Sequence, residues 1–210
     1  MRRMRALVVA TWLVFPVSAV AGAYDDMVNG VRLNDLDTVG SLIRRGMDVN
    51  TTDAAGNSLL MLAAGSGDLP MLEFLLRNKA RVLIKNKFGD SALMLAALQG
   101  HLKAVTALVA AGAEIDPDGW TPLIYAAFGG HTEIVRFLLT LDIDIDSQAD
   151  NGMTALMAAS RNGHMEIVMM LLQHDADPTL RNQGQMTAVD LASRAGNTEI
   201  ARELSAVGPR

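Results

Sequence analysis

The stretch from Trp120 to His131, WTPLIYAAFGGH, decides how this chain is read. Related segments recur on both sides of it: NSLLMLAAGSGD from Asn57, DSALMLAALQGH from Asp90, MTALMAASRNGH from Met153 and MTAVDLASRAGN from Met186. By subtraction, their anchors Leu60, Leu93, Leu123, Leu156 and Val189 lie 33, 30, 33 and 33 residues apart. A fixed period of this length marks a stack of short supersecondary units, none of which can bury its apolar face alone.

Each unit carries a pair of small residues among apolar ones, then a second stripe of helical spacing. In the unit from Trp120 that stripe is Ile134, Val135, Phe137, Leu138 and Leu139, too wide a face for a lone exposed helix. Two short helices per unit, meeting at alanines, must therefore stack on their neighbours. Between units the pattern changes to alternation, as in Ala113 to Asp116 (AEID) and Asp142 to Asp146 (DIDID), followed by Gly56, Gly89, Gly119 or Gly152. Alternation ending in a glycine able to take positive φ predicts a projecting hairpin finger. The last finger departs from this, because Gly184 sits one place early and Gln185 stands where the glycine belongs.

The chain resembles the ankyrin-repeat family. The resemblance is carried by Thr121-Pro122-Leu123, the paired alanines Ala126 and Ala127, and Gly130-His131, and it extends from roughly Tyr24 to Ala206. Counting back one period from Leu60 reaches Met27, which makes the segment from Tyr24 a divergent opening unit. The resemblance implies an all-α repeat solenoid, a stack of helix-turn-helix units with projecting β-hairpin fingers. A secretory signal over 1–23 would precede a single repeat domain over 24–207, with an N-terminal capping repeat at 24–53. Central repeats would cover 54–86, 87–116, 117–149 and 150–182, followed by a C-terminal capping repeat at 183–207 and a tail at 208–210.

The opening MRRMRALVVATWLVFPVSAVAGAYDD has three arginines, a short apolar run and small residues ending Ala21-Gly22-Ala23. That order reads as a secretory signal cleaved near Ala23, after Ala21 or Ala23, with an uncleaved anchor as the alternative. No other segment is apolar enough for a membrane. The expected location is a bacterial periplasm, or the medium outside the cell. The chain has no cysteine, so its stability must come from packing without disulfides. Its net charge is −5; removing Arg2, Arg3 and Arg5 leaves −8, which argues against nucleic acid as a partner.

Several residue groups raise the question of chemistry. His101, His131 and His164 occupy one place in successive units, as do Asp68 and Asn197 in others. Equivalent places in stacked helices lie roughly a helix diameter apart, ~10 Å, so the histidines cannot share a metal. They are expected to satisfy local backbone groups at the start of each second helix, with Asp68 and Asn197 as caps there. Asp142, Asp144 and Asp146 open like a calcium loop, but Ser147 and Met153 stand where its glycine and glutamate belong. Met61, Met94 and Met157 read as core filler, with a thioether metal site as the weaker reading. There is no nucleophile constellation and no phosphate loop, so the expectation is a noncatalytic chain without cofactor or metal.

What the resemblance implies instead is protein binding through the fingertips and the first-helix face. The places matching those positions include Phe88, Asp90, Leu98, Asp118, Trp120, Phe128, Asp150, Met153 and Arg161. Phe88, Trp120 and Phe128, with Leu98 and Met153, would supply a hot spot, since interfaces concentrate energy in aromatic anchors rimmed by polar residues. The alternative for Trp120 is packing on the neighbouring finger. The acidic fingertips Asp116, Asp118, Asp144, Asp146 and Asp150 favour a partner with a basic patch. The finger after Ile115, three residues short, could open a notch beside the aromatic residues, or could reflect drift in a loop that carries little core. The expected function is thus that of a monomeric exported binder: an inhibitor, an immunity factor or a chaperone-like partner of an exported enzyme. The alternative is a structural or self-assembling scaffold, with a methionine-based metal binder behind it.

Overall fold

The structure is a computed structural model and describes residues 17–207. Most of the expected leader lies outside the described residues; the first element seen is α1, Val17–Arg32. It is followed by α2 (Leu36–Arg44), α3 (Leu59–Ser66), α4 (Leu69–Arg77), α5 (Ala92–Leu98), α6 (Leu102–Ala110), α7 (Pro122–Gly129), α8 (Thr132–Leu138), α9 (Ala155–Asn162), α10 (Met165–Gln173), α11 (Ala188–Ala195) and α12 (Thr198–Val207). Consecutive helices pack as pairs, α1 against α2 through α11 against α12. The first helices stack in the order α1, α3, α5, α7, α9, α11, and the second helices stack beside them, α4 on α6 on α8 on α10. This is the two-layered helical stack that the period predicts.

The helices start where the side chains satisfy them. Ser58, Ser91, Thr121, Thr154 and Thr187 each accept a hydrogen bond from the backbone N–H three residues on, which supplies one of the donors a helix start leaves orphaned. In two units the methionine three places later returns the contact: Ser58 N donates to Met61 Sδ at 3.3 Å and Ser91 N to Met94 Sδ at 3.1 Å. The packing role expected for Met61, Met94 and Met157 is also seen, as all three are buried. Between first helices the small residues Ala63, Ala64, Ala96, Ala97, Ala126 and Ala127 are fully buried, so the helices approach closely. Leu72, Leu75, Val105, Leu108, Ile134, Val135, Leu138, Val168 and Leu171 fill the space between the layers.

The fingers are not β-hairpins. Among the described residues there is no strand, only an isolated antiparallel bridge between Thr52 and Ser58. Four fingers are closed instead by a single backbone bond across four residues, Asp53 N to Asn57 O, Asn86 N to Asp90 O, Ala149 N to Met153 O and Asn182 N to Met186 O, at 2.9, 2.9, 2.9 and 3.0 Å. Side chains take the amides that a ladder would use. Asp53 Oδ1 accepts from Ala55 N and Asn57 N, and Asn86 Oδ1 from Phe88 N and Asp90 N. Gly56, Gly89, Gly119 and Gly152 take the positive φ the turns require, and in the last finger Gln185 takes it, at +57°.

Outside the helices the units are tied by side chains of the finger bases. Asn50 Oδ1 accepts from Arg81 N at 2.8 Å, Asp116 Oδ2 from Asp144 N at 3.1 Å and Asp146 Oδ1 from Asp177 N at 2.9 Å. Leu83, which stands at this place in its own unit, has no such group to offer and is largely exposed.

Candidate interaction surface

The histidines do not cap their own helices, as the sequence suggested. His101, His131 and His164 stand at the N-cap positions of α6, α8 and α10 without a side-chain cap bond. Each ring reaches back one unit instead. Nε2 meets the carbonyl of Gly65, Leu98 and Phe128, at 3.2, 2.8 and 3.2 Å. Asn197 does the same with its amide, donating to Ser160 O and Arg161 O at 3.0 Å each. The glycine before each histidine leaves no room for a Cβ: one built on Gly67, Gly100 or Gly130 would lie 2.5–2.6 Å from the next unit's ring. Only Asp68 caps as expected, accepting from Met71 N. These residues therefore hold the carbonyl ends of the first helices in register, just beneath the face that carries Leu98 and Phe128.

On that face α7 is the centre. Tyr125 and Phe128 lie three residues apart on one side of the helix, and Trp120, just before the cap Thr121, leans over both. The Trp120 and Tyr125 rings are 5.0 Å apart at an interplanar angle of 34°, and Trp120 meets Phe128 edge-on at 6.4 Å and 81°. Such offset and edge-to-face pairs contribute about 0.5–1.5 kcal/mol beyond their area. Tyr125 is the member the sequence reading left off the surface, although its place one turn before Phe128 could have indicated it. Its hydroxyl donates to Asp90 Oδ1 at 2.6 Å, and burial, then that bond and the charge of Asp90, push the phenol well above its usual range.

The nine expected contact residues fall into three groups. Phe88 (79% exposed) and Phe128 (39% exposed) offer apolar surface, with Trp120 and Leu98 half-buried. Asp118, Asp150 and Arg161 are exposed, while Asp90 is partly buried and engaged by Tyr125. Met153 does not belong to the surface. It is buried in the core, because the finger closes on it through the bond from Ala149 N. Trp120 itself packs against the core, so both readings of it hold in part: one side is packing and the other continues the exposed face.

Fingertips are bonded to one another where the period is intact. Lys87 N and Nζ donate to Ala55 O and Ala54 O, and Gln183 N donates to Asn151 O at 2.9 Å. The short finger breaks this series. Among the described residues no hydrogen bond links Pro117, Asp118, Gly119 or Trp120 to a neighbouring finger. Asp150 Oδ1 comes near the turn at Gly119, 3.5 Å from where a Cβ would stand. Asp118 and Asp150 also lack any ion-pair or hydrogen-bond partner for their carboxylates among the described residues, whereas Asp53 is paired with Arg32 at 3.0 Å. No group of three histidine, cysteine or carboxylate side chains that could hold a metal ion occurs among the described residues, and no helix there is long and apolar enough to cross a membrane.

A family model for ankyrin repeats in three copies matches residues 28–117, 60–149 and 141–209. A probable 26S proteasome regulatory subunit p28 of Saccharomyces cerevisiae is 34% identical over 113 residues, which cover 51% of this chain and 50% of that protein. Protein phosphatase 1 regulatory subunit 27 of Mus musculus is 43% identical over 56 residues, 25% of this chain and 36% of that one. A transient receptor potential cation channel subfamily A member 1 homolog of Caenorhabditis elegans is 37% identical over 102 residues, 48% of this chain but 8% of the channel. In each case the match spans half or less of the relative's own length.

Proposed function

The chain belongs to the ankyrin-repeat family, and on that premise we propose that it is a noncatalytic binding module that holds a protein partner against its first-helix face and fingertips. The observation that carries the reading is the cluster of Trp120, Tyr125 and Phe128 beside the protruding Phe88, on a scaffold whose own core is complete without that surface. Exposed aromatic area of this kind lowers solubility unless something covers it. Two of the relatives are named as regulatory subunits, which agrees with a part played through contact rather than catalysis. We further infer a monomer that is exported, on the strength of the arginine-led, apolar, A-G-A-ended start, and that serves as an inhibitor, immunity factor or chaperone-like partner of another exported protein.

The test is affinity capture on the immobilised protein from an envelope extract of its source cell, beside a variant with Phe88, Trp120 and Phe128 all changed to alanine. Circular dichroism must first show equal helicity. A protein retained by the wild type and lost by the folded variant supports the reading; equal retention by both removes the aromatic face from it. Fractionation of the source cell with N-terminal sequencing checks export, with a mature start at Gly22 or Tyr24 expected.

A further inference from the structure

We propose that the notch at the short finger is a receptor for an arginine side chain on an extended segment of the partner protein. This inference rests on the binding-module reading and adds the chemistry of what is bound. Three missing residues remove a fingertip between the fingers of Phe88 and Asp150, and no backbone bond bridges the gap. Trp120, half-buried with Tyr125 and Phe128 packed against it, is held firmly in place there. Asp118 and Asp150, both exposed, flank it without partners, and Asp150 reaches the turn immediately before Trp120. Carboxylates left without counter-charges next to a fixed indole form a site for a cation. A planar guanidinium satisfies both parts, stacking on the ring while its fork donates to carboxylate oxygens, which an ammonium does less well.

The surrounding charges agree. Lys87, the nearest cation along the fingers, is turned to the other side by its bond to Ala54 O. Asp90 is occupied by Tyr125 and does not compete for the ligand. Arg161, exposed and without an ion pair among the described residues, lies one unit on, at the place on α9 that Phe128 holds on α7. The face therefore has a charge order: acidic at the notch, apolar at Phe88, Leu98 and Phe128, basic at Arg161. That order selects a segment with arginine at one end of an apolar stretch.

Panning a phage-displayed library of random twelve-residue peptides on the full chain tests this. Recovered peptides are expected to share an arginine next to an apolar residue. A synthetic peptide of that consensus should bind the Asp118→Asn/Asp150→Asn variant roughly tenfold more weakly, with Arg→Lys in the peptide also weaker. A consensus without arginine, or one bound equally by the double variant, overturns the proposal while the binding-module reading stands. A consensus bound equally by the Phe88, Trp120 and Phe128 triple-alanine variant, or no consensus at all, counts against both. The asparagine changes are isosteric and exposed, so the variant folds as the wild type does, and circular dichroism confirms it.

Discussion

Tyr125 fastens the aromatic face to the preceding unit with one atom. Its hydroxyl donates to Asp90 on the neighbouring finger while its ring supports Trp120. Changing Tyr125 to Phe keeps the ring and removes the bond, so we expect a loss of about 1–2 kcal/mol in urea unfolding, in the range for a hydrogen bond to a charged acceptor, with the near-ultraviolet signal of Trp120 retained. Asp146 illustrates the opposite balance. Burial raises its carboxyl above the usual range, and the neighbouring charges of Asp177 and Asp144 add to that, although Asp177 N bonds to it. A carboxyl whose folded value is raised holds a proton that the unfolded chain has already lost, so its ionisation destabilises the fold as pH rises through that window. Asp146→Asn keeps an acceptor for Asp177 N without the charge. Its urea midpoint should exceed the wild-type value at pH 7 and converge on it near pH 3, where Asp146 is protonated. Asp177 and Asp190 run the other way. Bonds from Thr179 and Thr187 lower their values, so the stability they give is present above the ordinary carboxylate range and lost as pH falls through the lowered one. A variant less stable than wild type at pH 7 would show that the bond needs the charge.

At the scale of elements, the helices were legible because each is specified more than once: by an apolar stripe, by a serine or threonine cap, and by a glycine with positive φ at the end, as Thr121 and Gly130 bracket α7. The fingers were legible only as turns. Alternation in DIDID was read as strand, but the aspartates spend their oxygens on local and inter-unit amides, as Asp144 does with Asp146 N and Asp146 with Asp177 N, and no ladder remains to form. Met153 was placed on the surface because its neighbours in the repeat are variable; the bond from Ala149 N turns the finger over it, a closure that spacing alone does not reveal. The histidines were misassigned for a similar reason, since their partner lies a whole unit away. Gln185 gives the testable case. A left-handed conformation costs an L residue roughly 1–2 kcal/mol, and glycine gives back about 0.5–1 kcal/mol in unfolded-state entropy. Gln185→Gly should therefore raise the thermal midpoint by a degree or more, corresponding to a gain of up to about 1 kcal/mol; a fall would mean that the Gln185 side chain contributes a contact that outweighs its backbone strain.

Over the whole molecule, the stack makes stability a matter of neighbours. Leu123 in α7 and Ile200 in α12 are equally buried, each 3% exposed, so truncating either to alanine removes comparable contacts and costs about 2–5 kcal/mol locally. Their positions differ. The first helix of Leu123 packs against both α5 and α9, whereas α12 packs chiefly on α11. In a quasi-one-dimensional stack a terminal unit can open without the rest, while a central one couples two interfaces. Native-state hydrogen exchange should then show Ile200→Ala losing protection in α11 and α12 while α3 to α7 keep theirs, and Leu123→Ala losing it from α5 to α9 with a lower urea midpoint. The same reasoning makes the centre the right place for a binding face, because units braced on both sides hold Trp120 and Phe128 in fixed positions where a partner can find them. If Ile200→Ala instead lowers protection equally in every helix, the six pairs unfold as one body, and the placement of the aromatic cluster at the centre has no mechanical advantage over either end.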